Sequence, residues 1–318
     1  LWMSAGRWNS ELLRSAILAA ILLIGCLGIG IKAESTANEV FSRDSASSSI
    51  LLSQDGATLF VANPDSNSVS VMDTRRNRKI GEVWVGQTPR TLALSPDGKR
   101  LFVACEGSNW LAIVDTERLV VTEPVVVGAE PYGVVADRGG HFVYVTSSAM
   151  NVVDVVQVGT NVFDIVRLLA IRNMLMPFGG PVRPTVQWTG SRVIARIGVE
   201  PEPRGLVQSV DGHWLWVTHF LTGRVSRIDL VARRVVQTID TGSDSNALQK
   251  IAIHPSNGRA YLPHIRSNAS NRFRLFDTTV FPAVSVLDLS TGTHLTRERI
   301  DLSLGLTVAN LPFDVAFS

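Results

Sequence analysis

Two histidines occupy equivalent positions in a repeated sequence segment, which raises the question of whether they bind a metal ion or transfer protons. His219 and His264 each follow a short apolar run, at the point that Asn63, Cys105 and Ser147 occupy in other copies of the same text. Imidazole nitrogens at such points could bind a metal ion or shuttle protons. Two histidines without a third ligand are a weak metal signal, and hydrogen bonding at two strand ends explains them equally well. We therefore predict ligand contacts and no metal site.

A second set of residues, polar except for Phe313, recurs just after a loop proline or its equivalent. The set comprises Arg90, Tyr132, Arg204, Gln249 and Phe313. Arginines at such points could hold an anionic ligand through two hydrogen bonds. The alternative is an ion pair with Glu106, Glu130, Glu200 or Glu202.

Motifs of known catalytic or cofactor chemistry are missing from the sequence. It contains no Gly-x-Ser-x-Gly, no His-Glu-x-x-His and no glycine-rich phosphate loop. No Cys-x-x-Cys-His occurs, so this chain cannot itself attach a c-type haem, and no cofactor is expected in it. Cys105 is interpreted as a small residue at the end of a strand and not as a nucleophile. No catalytic residue is therefore assigned.

The elements that would position these residues come from an internal repeat. SPDGKRLFVACEGSNWLAIVDT (95–116) restates SQDGATLFVANPDSNSVSVMDT (53–74) after 42 positions. Such a period marks a repeat architecture. The aromatic of the "LFV" element recurs at Phe60, Phe102, Tyr144, Trp216 and Tyr261. The units are 47–86, 87–128, 129–199, 200–242 and 243–308.

Each unit is typical of a four-stranded antiparallel meander. In the second unit, alternating segments at 91–95, 100–105, 110–115 and 119–128 are separated by Asp-Gly and Asn/Ser-rich breaks. The sequence therefore predicts an all-β fold, a β-propeller of five four-stranded blades plus the first strand of a sixth (311–318), within a seven-bladed ring. An aspartate that ends the third strand in most units (Asp73, Asp115, Asp229, Asp288) is predicted to bond its own turn backbone.

The propeller prediction brings the two sets of polar residues together. Loops before the first strand and between the second and third strands emerge on one face of a propeller, where polar groups from several blades converge. The candidate ligand-binding residues on that face are His219, His264, Asn63, Arg90, Tyr132 and Arg204.

The units resemble the YVTN-type propeller repeats of exported bacterial and archaeal proteins. "SPDG", "FVA" and "VSVMDT" carry the resemblance, which covers residues 47–318. It implies a surface or periplasmic seven-bladed propeller, in some members joined to a cytochrome c domain. It is specific for the blade and implies little about activity.

The N-terminal segment is interpreted as a targeting signal. Two arginines precede an apolar run at 15–31, which predicts a signal peptide over 1–33 and a linker over 34–46. The run could also remain as an uncleaved anchor, and Cys26 lies in a lipobox-like context and could be lipidated. We expect a periplasmic or extracellular protein that meets a membrane only through such an anchor. The strand-like text at 311–318 suggests that the propeller is incomplete at its C-terminus.

Two insertions interrupt the period, near 160–190 in the third unit and around 264–282 in the fifth. The first contains a helix-like stretch that ends at Met176.

Three functions are compatible with the sequence. The first is an exported module that binds a protein or a small molecule on the propeller face. The second is the propeller portion of a larger periplasmic redox protein, with haem only in a downstream domain. The third is a lyase or lactonase-type enzyme that uses His219 or His264 as a base. Nucleic acid is not an expected partner, because the 30 lysines and arginines nearly balance the 28 acidic residues.

Overall fold

The chain builds five antiparallel sheets, which follow one another in sequence and are called blades below. They are seen in a computed structural model that describes residues 48–159, 190–267 and 280–302. The predicted signal, the linker, the helix-like stretch and the strand at 311–318 lie outside the described residues.

The first four blades share one strand order. Blade one contains β1 (Ile50–Leu52), β2 (Thr58–Asn63), β3 (Ser68–Asp73) and β4 (Arg78–Trp84). Blade two contains β5 (Pro89–Leu94), β6 (Arg100–Cys105), β7 (Trp110–Asp115) and β8 (Val120–Val126). Blade three contains β9 (Pro131–Ala136), β10 (Phe142–Ser147), β11 (Val152–Gln157) and β12 (Arg192–Gly198). Blade four contains β13 (Pro203–Gln208), β14 (Trp214–His219), β15 (Arg224–Asp229) and β16 (Arg234–Asp240). Neighbours in sequence pair in every case, as the meander prediction requires.

Blade five departs from this pattern. Its first strand is divided into β17 (Ser245–Asn246) and β18 (Ala252–Ile253), and its last into β21 (Thr293–His294) and β22 (Ile300–Asp301). Its middle strands β19 (Arg259–Ser267) and β20 (Val280–Asp288) are nine residues each and pair without a break. The insertion predicted around 264–282 lies between these two strands, and residues 265–267 and 280–282 within it lengthen them. The third-blade insertion lies where the sequence put it, because β11 pairs with β12 across it.

Hydrogen bonds between residues two or three apart in sequence stabilise the hairpin turns that recur in the blades. At the end of each third strand except that of blade three, an aspartate carboxylate accepts backbone N–H groups two and three residues on. For Asp73 these donors are Arg75 and Arg76. Asp115, Asp229 and Asp288 repeat the arrangement. The predicted structural role of the aspartate series is confirmed.

The core lies between consecutive blades, because alternate residues of each strand face opposite neighbours. Phe60 and Val71 of blade one pack with Leu101 and Val103 of blade two, and analogous clusters follow. Val61, which matches Val103 in blade one, is only partly buried, whereas Val103 is fully buried. The face of blade one that points away from blade two is therefore less covered than the matching face of blade two, which packs against blade one.

None of the described residues belongs to a helix with the length and hydropathy that a membrane crossing needs.

Candidate functional site

Three asparagines hold the loops that present the second set of residues, those that follow a loop proline. Asn67, Asn109 and Asn151 adopt left-handed backbone angles just before the third strands of blades one to three. Each side-chain oxygen accepts the backbone N–H of the residue that precedes the next blade's first strand, namely Thr88, Glu130 and Glu202. Left-handed angles suit asparagine better than most residues. The spacing of 42 between them is visible in the sequence, and this signal was not used in predicting the site.

Four residues of the second set meet, with three of them placed around the side chain of Tyr132. The Tyr132 hydroxyl donates to Gln249 Oε1 at 2.9 Å. The guanidinium carbons of Arg204 and Arg90 lie 4.8 and 5.8 Å from the centre of the Tyr132 ring. These distances are those of cation–π contacts. The residues Arg90, Tyr132, Arg204 and Gln249 are called the inner-strand cluster below, and they come from four successive blades.

Both arginines of the inner-strand cluster have an acidic neighbour, as the alternative interpretation predicted. Arg90 donates through Nε and Nη2 to Glu106 Oε2, at 2.7 and 2.5 Å. Arg204 Nη2 lies 3.5 Å from Glu202 Oε2. The first pair is short and uses two donors, whereas the second is at the limit of a hydrogen bond.

Burial controls the protonation of the tyrosine. Tyr132 is largely buried, and burial raises the pKa of its hydroxyl, although the charges of Arg204 and Arg90 oppose the shift. The hydroxyl therefore remains a donor at neutral pH, as its bond to Gln249 requires.

The first set of polar residues, which contains His219 and His264, makes hydrogen bonds inside its own blades. His219 and His264 are fully buried, and their Nε2 atoms lie 2.8 and 2.9 Å from Ser226 Oγ and Ser285 Oγ. Burial lowers the pKa of both histidines to about 4. Neither imidazole is open to a ligand in this conformation, and their contact with a ligand stays a prediction.

Two other members of this set, Asn63 and Ser147, also pair with a residue on the third strand. Asn63 Nδ2 donates to Ser70 Oγ at 2.9 Å, and Ser147 Oγ donates to Asp154 Oδ2 at 2.6 Å. Cys105 is fully buried, and burial raises the pKa of its thiol to about 12. Its interpretation as a small strand residue agrees with this environment. Of the six candidate residues, the structure thus brings together Arg90, Tyr132 and Arg204.

Asp154 is a buried carboxylate that the sequence analysis missed. It accepts hydrogen bonds from the Gly128 N–H at 2.8 Å, from Ser147 Oγ and from Arg196 Nε at 2.9 Å. Its side chain is fully buried, while that of Arg196 is 49% exposed. The residue falls in the third unit, where no aspartate ends the third strand, so the repeat gave no reason to expect it.

Replacing Asp154 with alanine is expected to destabilise the fold by about 2–4 kcal/mol, because the buried Gly128 N–H and Ser147 hydroxyl would lose their acceptor. Asp154→Asn keeps one acceptor oxygen and should lose less. Urea unfolding of both variants measures the difference, with exposed Asp65→Asn as the control. Equal stability of Asp154→Ala and wild type would show that the carboxylate is not an essential acceptor.

Among the described residues, no group of three histidine, cysteine, aspartate or glutamate side chains could hold a metal ion.

Comparisons with known proteins agree with this architecture. Residues 30–120 match the model of a family described as lactonase, seven-bladed β-propeller. The described blades and this match decide the fold. The chain is a β-propeller.

Two solved structures are similar to this propeller. A chain of Kuenenia stuttgartiensis hydrazine synthase is 23% identical with a TM-score of 0.65, over 82% of this chain and 67% of that chain. A functionally unknown protein from Desulfotomaculum acetoxidans DSM 771 is 9% identical with a TM-score of 0.53, over 78% of this chain and 84% of that chain. No curated protein sequence matches. These identities show the fold alone, and the family match covers less than a third of the chain.

Proposed function

We propose that this protein is an exported propeller that binds a protein or a small molecule through its inner-strand cluster. The observation that carries the proposal is the meeting of Arg90, Tyr132, Arg204 and Gln249, which come from four blades. Polar and aromatic groups that converge from separate elements are typical of a binding site. The N-terminal signal-like segment supports export to the periplasm or the cell surface.

A thermal-shift screen of neutral, cationic and anionic small molecules tests this proposal. A ligand of the inner-strand cluster should raise the melting temperature of wild type and not that of the double variant Arg90→Gln, Arg204→Gln. The control is the double variant Arg118→Gln, Arg224→Gln, which removes the same charge from arginines outside the cluster. If every ligand found stabilises both double variants alike, the cluster is not the binding site.

An enzyme is the second candidate, because residues 30–120 match the lactonase family model. That segment supplies Arg90 and Glu106, whose ion pair borders the inner-strand cluster. A carboxylate at this position could act as a general base toward a lactone. Hydrolysis of lactones by wild type, lost in Glu106→Gln without loss of folding, would favour this candidate over a binding module.

The third candidate, a propeller portion of a larger redox protein, gains support from the likeness to a chain of hydrazine synthase. That name denotes an enzyme, and the likeness extends over most of the propeller. The intact mass of the native exported product, together with its haem absorbance, separates this candidate from the other two. A mass near 34.5 kDa without haem would contradict it.

A further inference from the structure

Arg90 and Arg204 occupy matching places in blades two and four, yet only one of them has a full carboxylate partner. Arg90 follows the loop proline at the start of β5, and Arg204 follows the matching proline of β13. The Arg90 donors Nε and Nη2 both reach Glu106, the residue directly after β6. This is the two-donor edge with which arginine binds carboxylates.

Blade four has an aromatic residue where blade two has that glutamate. Phe220 is the residue directly after β14, and the guanidinium carbon of Arg204 lies 3.7 Å from the centre of its ring. With the Tyr132 ring at 4.8 Å, two aromatic rings contact the Arg204 guanidinium. Stacking fixes the plane of the guanidinium but supplies no acceptor to the N–H groups in that plane.

One N–H donor of the Arg204 guanidinium consequently has no acceptor among the described residues. Arg204 Nε is buried and has no hydrogen-bond partner among the described residues. Glu202 reaches only Nη2, at 3.5 Å, from a side chain that is 37% exposed. A buried donor without an acceptor is unfavourable, which makes it a place where a ligand can gain affinity.

We propose that Arg204 binds a carboxylate group of the ligand, in the way that Arg90 binds Glu106. The ligand carboxylate accepts from Nε and Nη2, and the half-exposed Glu202 side chain moves aside to admit it. This inference rests on the proposed function, since it names the chemical class of ligand for the same inner-strand cluster. Because Glu106 neutralises Arg90, Arg204 is the arginine of the cluster that has a free donor for the ligand.

Calorimetric titration of the full chain with sodium acetate and sodium succinate, at constant ionic strength, tests the inference. Sodium chloride and inorganic phosphate serve as reference anions. Wild type should bind the carboxylates, and Arg204→Lys should weaken that binding at least about tenfold, because lysine lacks the two-donor edge. Glu202→Ala should tighten it severalfold, since the internal competitor is gone. Arg224→Lys is the matched control, because Arg224 also pairs with acidic side chains, Glu200 and Asp240. Unlike Arg90 and Arg204, it makes no cation–π contact within the described part of the chain.

Opposite responses of Arg204→Lys and Glu202→Ala would support the inference, whereas a general loss of folding would affect both in the same direction. Carboxylate affinity that is unchanged in Arg204→Lys, or binding of phosphate without binding of carboxylates, would overturn it. If neutral ligands bind and require the inner-strand cluster while carboxylates do not bind, the inference fails and the proposed function stands. If no class of ligand binds, both fail.

Discussion

Replacing Gly133 with alanine is expected to cost the fold about 3 kcal/mol or more and to displace Arg204. A Cβ atom on Gly133 would lie 2.0 Å from the backbone oxygen of Arg204 and 3.0 Å from Thr146 Oγ1. The obstacle is the backbone of β13, which cannot yield by rotating a side chain. Overpacking of this kind strains the backbone and separates the elements that carry it. Urea unfolding measures the loss of stability.

Two other glycines provide the matched comparison for Gly133. A Cβ atom on Gly205, the equivalent glycine of blade four, would lie 2.7 Å from the Gln249 backbone oxygen, so its effect should be smaller. At Gly198 such an atom meets nothing within 4 Å, and alanine there should be neutral or slightly stabilising. The expected order of destabilisation is Gly133, Gly205, Gly198. Equal stability of the Gly133 and Gly198 variants would contradict the close approach of the inner strands.

The close approach also explains how the inner-strand cluster is positioned. Thr146 Oγ1 accepts the Gly133 N–H at 2.7 Å and donates to the Arg204 oxygen at 3.0 Å, which links blade three to blade four. In blade two, Thr91 Oγ1 donates to the backbone oxygen of Tyr132 at 2.6 Å. A substitution that separates these strands should therefore weaken both stability and ligand binding.

The fold was predictable from the sequence because its determinants are local. Asp-Gly turns, period-two alternation and the capping aspartates all act within a few residues, and a repeat shows them several times. Blade five was predicted less well, because its strands are divided or lengthened by contacts that the period does not encode.

The candidate site was predictable only in part, because its geometry depends on which side chains turn toward one another between blades. The meeting of Arg90, Tyr132 and Arg204 followed from their equal places in the repeat. The burial of His219 and His264 did not, because exposed and buried strand ends have the same residue pattern. No other unit has an aspartate at the place of Asp154, where blades one and four have Ser70 and Ser226, and the pairing of Ser147 with it became visible only when the blade was assembled.

Acid is expected to destabilise this protein between pH 6.5 and 4 through two buried histidines. Burial lowers the pKa of His219 and His264 from 6.5 to about 4. Between these pH values the two imidazoles are therefore protonated in the unfolded chain and neutral in the folded chain. The contribution of these histidines to the unfolding free energy is thus largest above pH 6.5, decreases as the pH drops below that value, and stops decreasing near pH 4. The loss amounts to roughly 3 kcal/mol for each histidine. Aspartates whose pKa is lowered, such as Asp97, change the unfolding free energy mainly below their ordinary pKa of 3.8, outside this pH window.

The variant that tests the acid effect is suggested by blade one. Asn63 takes the place of the histidines there and donates to Ser70 Oγ, so asparagine can serve the same third-strand serine without titrating. The double variant His219→Asn, His264→Asn should lose most of the pH dependence of its unfolding free energy between pH 6.5 and 4, even if it is less stable at pH 7. Half-buried His294, whose pKa burial also lowers, should leave a smaller residual slope. A wild-type unfolding free energy that stays constant across this window would mean that the folded protein can protonate both imidazoles. In that case they would be open to solvent, and a role for them as ligand contacts or bases would regain its support.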